Sequence, residues 1–195
     1  MAGNLFLHMH TPAGYQQAKL YYEKALFLFQ SVASHIDESL VRDARQNLVV
    51  LEDTKKQMAL FLELVKKTEN CGSEEEKLQG WRECCEEVLR FEQYDNETPF
   101  KEYQKSAELL YGKNSPEYAS TLHLYAEYLY KNYSGNEDLS KLNESKCFCE
   151  SCIDIARQSG QEDELASALE LYASVLSAIH EEKNDEVGVW RGCDG

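Results

Sequence analysis

The chain has 195 residues, of which 28% are charged, and a formal net charge of −15. This length suffices for one sizeable core or two small ones. Only three prolines and ten glycines interrupt a composition rich in Leu, Glu, Ala and Lys, which predicts an almost entirely helical protein. The acidic balance argues against nucleic acid and anionic membranes as partners and favours basic ones.

The negative charge is concentrated in the second half. Residues 1–91 hold 14 acids and 11 bases, whereas residues 92–195 hold 21 acids and 9 bases. No stretch approaches the roughly 20 apolar residues of a membrane span, and residues 1–10 lack the basic start and apolar run of a signal peptide. We therefore expect a cytoplasmic or nuclear protein with reduced thiols and no membrane insertion.

The first 70 residues predict two helices. Apolar residues at helical spacing run from Tyr15 to about Ser34, and a second stripe runs from Leu40 to Val65. The second helix either breaks near Asp53-Thr54 or is a long antiparallel partner of the first. The residues expected to face inward are Ala18, Tyr22, Ala25, Leu26, Phe29, Val32, Leu40, Ala44, Leu48, Leu51, Met58, Leu62 and Val65.

Glycine and capping residues divide the rest of the chain. Gly72 ends one helix and Ser73 starts the next as an N-cap, so we expect an N-terminal helical hairpin over 1–70 and helical repeats over 73–182. Further helices are predicted to begin at Thr98-Pro99, Ser115-Pro116, Leu139 and Glu162 and to end at Gly112 and Gly160, with a polar loop at 134–138 between two of them. Residues 183–195 have no helical period and predict a loose tail.

One segment recurs. The residues from Ala119 to Leu129, ASTLHLYAEYL, return 47 positions later as ASALELYASVL, with seven of eleven positions identical. In both copies Ala, Leu, Ala and Leu stand at i, i+3, i+7 and i+10, which form one stripe of a helix. These stripes are Ala119, Leu122, Ala126 and Leu129 in the first copy and Ala166, Leu169, Ala173 and Leu176 in the second. Such a recurrence is typical of proteins that stack helical units.

The segment from Tyr111 to Tyr130 resembles the turn and first helix of a tetratricopeptide repeat of the kinesin-light-chain type. Gly112 and Pro116 occupy the turn, and the first stripe occupies the packing positions. The resemblance covers about residues 98–182 and places Ser145, Cys149 and Cys152 at the packing positions of the second helix. It implies an all-α fold in which antiparallel helix pairs stack as a short α-solenoid of about seven helices.

The N-terminal hairpin is similar to another module. The residues from Tyr15 to Leu26, with the long helix that follows, resemble the second and third helices of an MIT domain over roughly 15–66. That module binds amphipathic helical tails. The resemblance suggests a regulatory or targeting domain of a larger enzyme or kinase complex.

The tetratricopeptide resemblance implies a non-enzymatic adaptor or scaffold that holds a peptide or helix of another protein in a concave groove. The partner-binding positions that it implies are Ser120, His123, Glu127, Tyr130 and Lys131 in the first copy and Ser167, Glu170, Ser174 and Ser177 in the second. Clamps for acidic chaperone tails carry Lys, Asn and Arg there, so a basic or amphipathic partner fits this groove better. A chaperone for histones or other basic proteins is the alternative that the acidic half suggests.

The cysteines and histidines predict no reactive site. Cys147, Cys149 and Cys152 have a C-x-C-x-x-C spacing that could suggest zinc. Because only the last two share a helical face, we interpret them as small buried side chains, and Cys84-Cys85 likewise. With acidic pairs at helix starts and no nucleophile motif, we expect no catalytic residue, cofactor or metal.

The C-terminal end of the predicted stack leaves two alternatives. No partner helix is predicted after the second copy, although repeat arrays normally finish with a polar cap. Either the tail folds back so that Trp190 covers Leu169, Leu176 and Ile179, or this face docks a partner or a second copy of the chain. We favour docking, which includes self-association through this end.

Overall fold

A computed structural model describes the chain at residues 12–31, 38–90, 96–133 and 139–191. Over these residues it shows seven helices and no strand, which confirms the predicted all-α class and helix count. The helices are α1 (Pro12–Ser31), α2 (Glu38–Glu69), α3 (Glu74–Arg90), α4 (Thr98–Tyr111), α5 (Pro116–Lys131), α6 (Leu139–Ser159) and α7 (Glu162–Arg191). The predicted loop at 134–138 lies outside the described residues. None of the helices, over the residues described, is both long and apolar enough to cross a bilayer.

The chain divides into two compact units, Met1–Leu64 and Val65–Gly195. In the first unit, α1 packs antiparallel on α2 around a small core. The core residues are Ala18, Tyr22, Ala44 and Leu51, with Leu26, Phe29 and Leu48 packed against them. Because α2 continues through Asp53-Thr54 as one helix of 32 residues, the long partner is confirmed and the break is wrong.

Burial along α2 differs from the predicted stripe at two positions. Leu40 and Leu62 are exposed, whereas Phe61 is buried. Leu62 and Phe61 are adjacent and equally apolar, so hydrophobicity alone could not choose between them. The predicted Val32 lies outside the described residues.

The last turn of α2 belongs to the second unit because Thr68 packs on α3. Its side chain is buried, and its Oγ1 lies 4.0 Å from the Sγ of Cys84. Gly80 permits this contact, since a Cβ there would lie 2.4 Å from Thr68 Oγ1. The division into units therefore falls inside α2, a few residues before the predicted seam at 70–73. At that seam Ser73 Oγ accepts the backbone N–H of Glu76 at 3.2 Å, as in a capping box.

In the second unit α3 to α7 pack in chain order. Each helix contacts the next, and the next-but-one pairs α3–α5 and α5–α7 also touch. The contacts run antiparallel: Phe100 near the start of α4 stacks on Tyr128 near the end of α5, with ring centroids 4.5 Å apart. Leu142 near the start of α6 packs with Ile179 of α7. This order of neighbours is the one expected of a short helical solenoid.

Local turn chemistry positions these helices as the sequence predicts. Gly112 and Gly160 have φ of 82° and 70°, in the left-handed region that favours glycine, and end α4 and α6. Ser115 Oγ accepts the backbone N–H of Tyr118 at 3.1 Å, and Pro116 occupies the first turn of α5.

Small side chains bring α5 and α6 close together. Ala119 and Ala126 of α5 are fully buried, and Cys152 of α6 packs in the same cluster as Ala119. The Ser145 hydroxyl, also fully buried, donates a hydrogen bond across the interface to the Ala126 carbonyl at 2.8 Å. A side chain as short as serine reaches a neighbouring backbone only where the helices approach closely.

Helix α7 is longer than the sequence predicts. It continues through Arg191, where a loose tail is predicted from residue 183, and residues 192–195 lie outside the described part of the chain. Trp190 is therefore on the same helix as Leu169 and Leu176. A continuous helix cannot fold back over its own face, so the fold-back alternative does not hold.

The Gly80 contact predicts a large effect of one methyl group. Gly80→Ala places a Cβ 2.4 Å from Thr68 Oγ1 and 2.7 Å from its Cγ2, which forces α2 and α3 apart. We expect the free energy of unfolding to fall by about 1–2 kcal/mol, because overpacking outweighs the gain in helix propensity. Gly72→Ala is the matched control, since no atom of the described residues lies within 4 Å of a Cβ placed there. Urea denaturation followed by circular dichroism measures both, and equal stability of the two variants would contradict the contact.

The hydrogen bond between α5 and α6 makes a second prediction. Ser145→Ala removes the buried bond to Ala126 and lowers the free energy of unfolding by about 1 kcal/mol. Ser151→Ala, on the exposed side of α6, removes only a bond to the Cys147 carbonyl of the same helix. We expect this control to be close to neutral in the same urea experiment.

Candidate functional site

The second copy of the repeated segment exposes the stripe that the first copy buries. Leu122 and Leu129 of α5 are buried, whereas their equivalents Leu169 and Leu176 of α7 are 41% and 39% exposed. Ala166 and Ala173 of the same stripe are exposed as well. We call this surface, formed by Ala166, Leu169, Ala173 and Leu176, the α7 stripe.

The difference follows from the number of neighbouring helices. Positions 121 and 128 of α5 are buried, and Tyr128 packs on α4 through Phe100, so this face meets the preceding helix. The equivalent positions of α7, Ala168 and Val175, are buried too. Helix α7 thus presents the same face to its preceding helix as α5 does. Its stripe corresponds to the face that in α5 receives α6, and over the described residues no helix covers it.

An acidic row lies beside the α7 stripe. Asp163, Glu170 and Glu181 are exposed, and their spacing of 7 and 11 residues puts them on one side of the helix. Ser177 lies between this acidic row and the α7 stripe on the helical surface, and its hydroxyl is 3.4 Å from Glu181 Oε1. The exposed surface of α7 therefore combines an apolar stripe with a negatively charged edge.

The predicted groove residues on α5 are only partly accessible. His123 Nδ1 lies 3.7 Å from Glu164 Oε1 of α7, and Tyr130 packs against the cluster of Leu142, Val175 and Ile179. These two side chains fill the contact between α5 and α7. The other three predicted positions, Ser120, Glu127 and Lys131, lie nearer the surface, and Glu127 pairs with Lys131 at 2.7 Å.

The predicted positions on α7 are more accessible. Ser167, Glu170 and Ser177 are exposed, and Ser174 is half-buried. The hydroxyls of Ser167 and Ser174 donate to backbone carbonyls one turn earlier, at 3.1 Å in both cases. Only the α7 half of the predicted groove therefore presents itself fully to a partner.

Three side chains that are distant in sequence meet where α5, α6 and α7 join. A ligand atom from each of His123, Cys152 and Glu164 lies within 4.8 Å of the other two. The Cys152 thiol is 3.8 Å from Glu164 Oε1. Burial, and next the Glu164 carboxylate, raise the pKa of Cys152 to about 12. The tetratricopeptide resemblance places His123 in the groove and Cys152 at a packing position, but no local spacing connects either residue to Glu164.

The C-x-C-x-x-C segment does not converge on one point. Cys147 is exposed, whereas Cys149 and Cys152 are buried, in agreement with the predicted faces. Burial raises the pKa of Cys149 and of Cys84 to about 11, so these thiols are protonated near neutral pH and unreactive. Their burial agrees with the packing role predicted for Cys84, Cys85 and Cys149.

No protein-family model, curated protein or solved structure matches the chain. The features that bear on its function are therefore those of the chain itself: the α7 stripe, the acidic row and the cluster of His123, Cys152 and Glu164.

Proposed function

We propose that α3–α7 form a tetratricopeptide-like stack and that the protein is a non-enzymatic adaptor, which binds a basic amphipathic helix of another protein on the α7 stripe. One observation supports this proposal most directly. A stripe that packs beneath a helix in the first copy recurs almost unchanged in the second copy, where it is exposed.

The contact between α5 and α6 indicates the shape of the partner. On α5 the Ala-Leu-Ala-Leu stripe receives a helix with small side chains, Ser145, Cys149 and Cys152, at i, i+4 and i+7. The α7 stripe has the same residues at the same spacing, so it fits a helix with a similar small face. Covering Leu169 and Leu176 would contribute on the order of 1 kcal/mol each.

The acidic row indicates the charge of the partner. Lysine or arginine residues along one edge of the docked helix would face Asp163, Glu170 and Glu181, and the net negative second half would speed their encounter. A second copy of this chain would instead bring two acidic rows together across a symmetric contact. Charge therefore favours a basic partner over self-association.

The predicted α7 groove positions are compatible with this docking. Glu170 belongs to the acidic row, and Ser177 lies between the row and the α7 stripe, so a helix on the stripe reaches both. Ser174 adjoins them on the same side of α7. The α5 positions contribute less to the proposal, because His123 and Tyr130 are engaged with α7.

A peptide experiment tests the charge. The α6 sequence, with its cysteines changed to alanine and its acidic residues to lysine, provides the small face on a basic helix. A matched peptide carries glutamate at the same substituted positions. We expect the lysine peptide to bind the full chain at least about tenfold more tightly, a difference of about 1.4 kcal/mol, with an affinity that falls as salt rises. Fluorescence anisotropy titrations measure both affinities, and equal affinities for the two peptides would contradict the electrostatic argument.

Substitutions in the α7 stripe test the location. The double variant Leu169→Ser, Leu176→Ser should bind the lysine peptide at least about tenfold more weakly, with little change in melting temperature because both side chains are already exposed. Leu109→Ser on α4 is the matched control, since Leu109 is 69% exposed and far from α7 in the chain. Undiminished binding by the double variant would contradict docking on the α7 stripe. It would instead support a chaperone for basic proteins, which needs the negative charge but not the stripe.

A further inference from the structure

His123, Cys152 and Glu164 come from three different helices and face one point. His123 is on α5, Cys152 on α6 and Glu164 in the first turn of α7. The imidazole, thiol and carboxylate together provide nitrogen, sulfur and oxygen ligands, a set typical of zinc and unlike the all-oxygen sets of calcium and magnesium.

The separations between the three atoms are close to those that zinc requires. Tetrahedral zinc with ordinary bond lengths places such ligand atoms about 3.3–3.6 Å apart. Glu164 Oε1 lies 3.7 Å from His123 Nδ1 and 3.8 Å from Cys152 Sγ, and the remaining pair is within 4.8 Å. Small side-chain rotations would close these gaps. The His123 and Glu164 side chains have room to rotate because they are 20% and 26% exposed, whereas Cys152 is fully buried.

Within the described part of the chain, no hydrogen-bond partner reaches the buried Nδ1 atom of His123. The 3.7 Å between His123 Nδ1 and Glu164 Oε1 exceeds a hydrogen bond, and leaving a buried nitrogen without a partner is destabilising. Its position beside a thiol and a carboxylate points to a ligand between them. A cation there would satisfy all three groups at once.

We infer that His123, Cys152 and Glu164 bind one zinc ion at the junction of α5, α6 and α7. Zinc replaces the proton of the Cys152 thiol, which passes to the solvent, and bonds to Nδ1 of neutral His123 and to the Glu164 carboxylate. Water occupies the fourth position, as in other three-ligand zinc sites. The ion fastens the start of α7 to the two helices before it, and so steadies the helix that carries the α7 stripe.

Metal titration of the full chain, reduced with a phosphine, tests this inference. Magnesium in large excess occupies the many surface carboxylates but not a site with thiolate and imidazole ligands. Under these conditions we expect one cobalt ion to bind per chain, with a thiolate-to-cobalt charge-transfer band, and one equivalent of zinc to displace it. Zinc should also raise the melting temperature.

Three variants locate the ligands. Cys152→Ser should abolish the thiolate band and the thermal shift. Glu164→Gln, which changes a partly exposed carboxylate without changing its size, should weaken zinc binding by at least about 100-fold, more than loss of an outer partner of a metal ligand. Cys149→Ser, on the same buried face of α6, is the matched control and should retain both the band and the affinity.

Several results would overturn the inference. These are the absence of a thiolate band in the wild type, a band that persists in Cys152→Ser, or equal loss in Cys149→Ser. Circular dichroism shows whether each variant is folded. If Cys152→Ser does not fold, Glu164→Gln decides, and unchanged zinc affinity in that folded variant refutes the site. A histidine–glutamate ion pair without metal gives this negative result. Peptide binding is measured separately, so failure of the zinc site leaves the adaptor proposal standing.

Discussion

The close approach of α5 and α6 is the contact on which the second unit depends. Alanines on α5 and small residues on α6 allow the two backbones to come near enough for the Ser145 hydroxyl to reach the Ala126 carbonyl. Helix α6 in turn packs against α7, where Leu142 contacts Val175 and Ile179. A larger side chain at either alanine would separate the helices and move every element that follows. The surface that α7 presents therefore depends on residues with almost no side chain.

The parts of this architecture that could be predicted from sequence are the local ones. Helices begin at Ser73 and Ser115 because each serine side chain accepts a backbone N–H of the first turn. They end at Gly112 and Gly160 because glycine adopts the positive φ that stops a helix. Helix type and helix count follow from composition and apolar spacing. The burial of the stripe on α5 could also be predicted, since the turns before and after this helix make α4 and α6 its neighbours.

The parts that escaped prediction depend on distant neighbours. The two copies have nearly the same sequence and bury the same face against the preceding helix. Only the first copy also buries its stripe, because α5 has helices on both sides and the α7 stripe has none among the described residues. The unit boundary lies inside α2 because Thr68 fits against Gly80. Half of the predicted groove is occupied because His123 and Tyr130 face α7. The meeting of His123 with Cys152 and Glu164 has the same origin, since no spacing along the chain encodes which helices will join.

The likeness of the two stripes has a consequence for assembly. Two surfaces of almost the same design can receive α6, one on α5 and one on α7. Within one chain α6 lies on the α5 stripe, which the chain connection holds at a high local concentration, while α7 meets α6 through the face of Ala168 and Val175 instead. In a concentrated solution of unfolded chains that advantage shrinks, and α6 of one molecule can lodge on α7 of another. The surface that suits α7 for a visiting helix thus also makes the refolding protein susceptible to domain swapping.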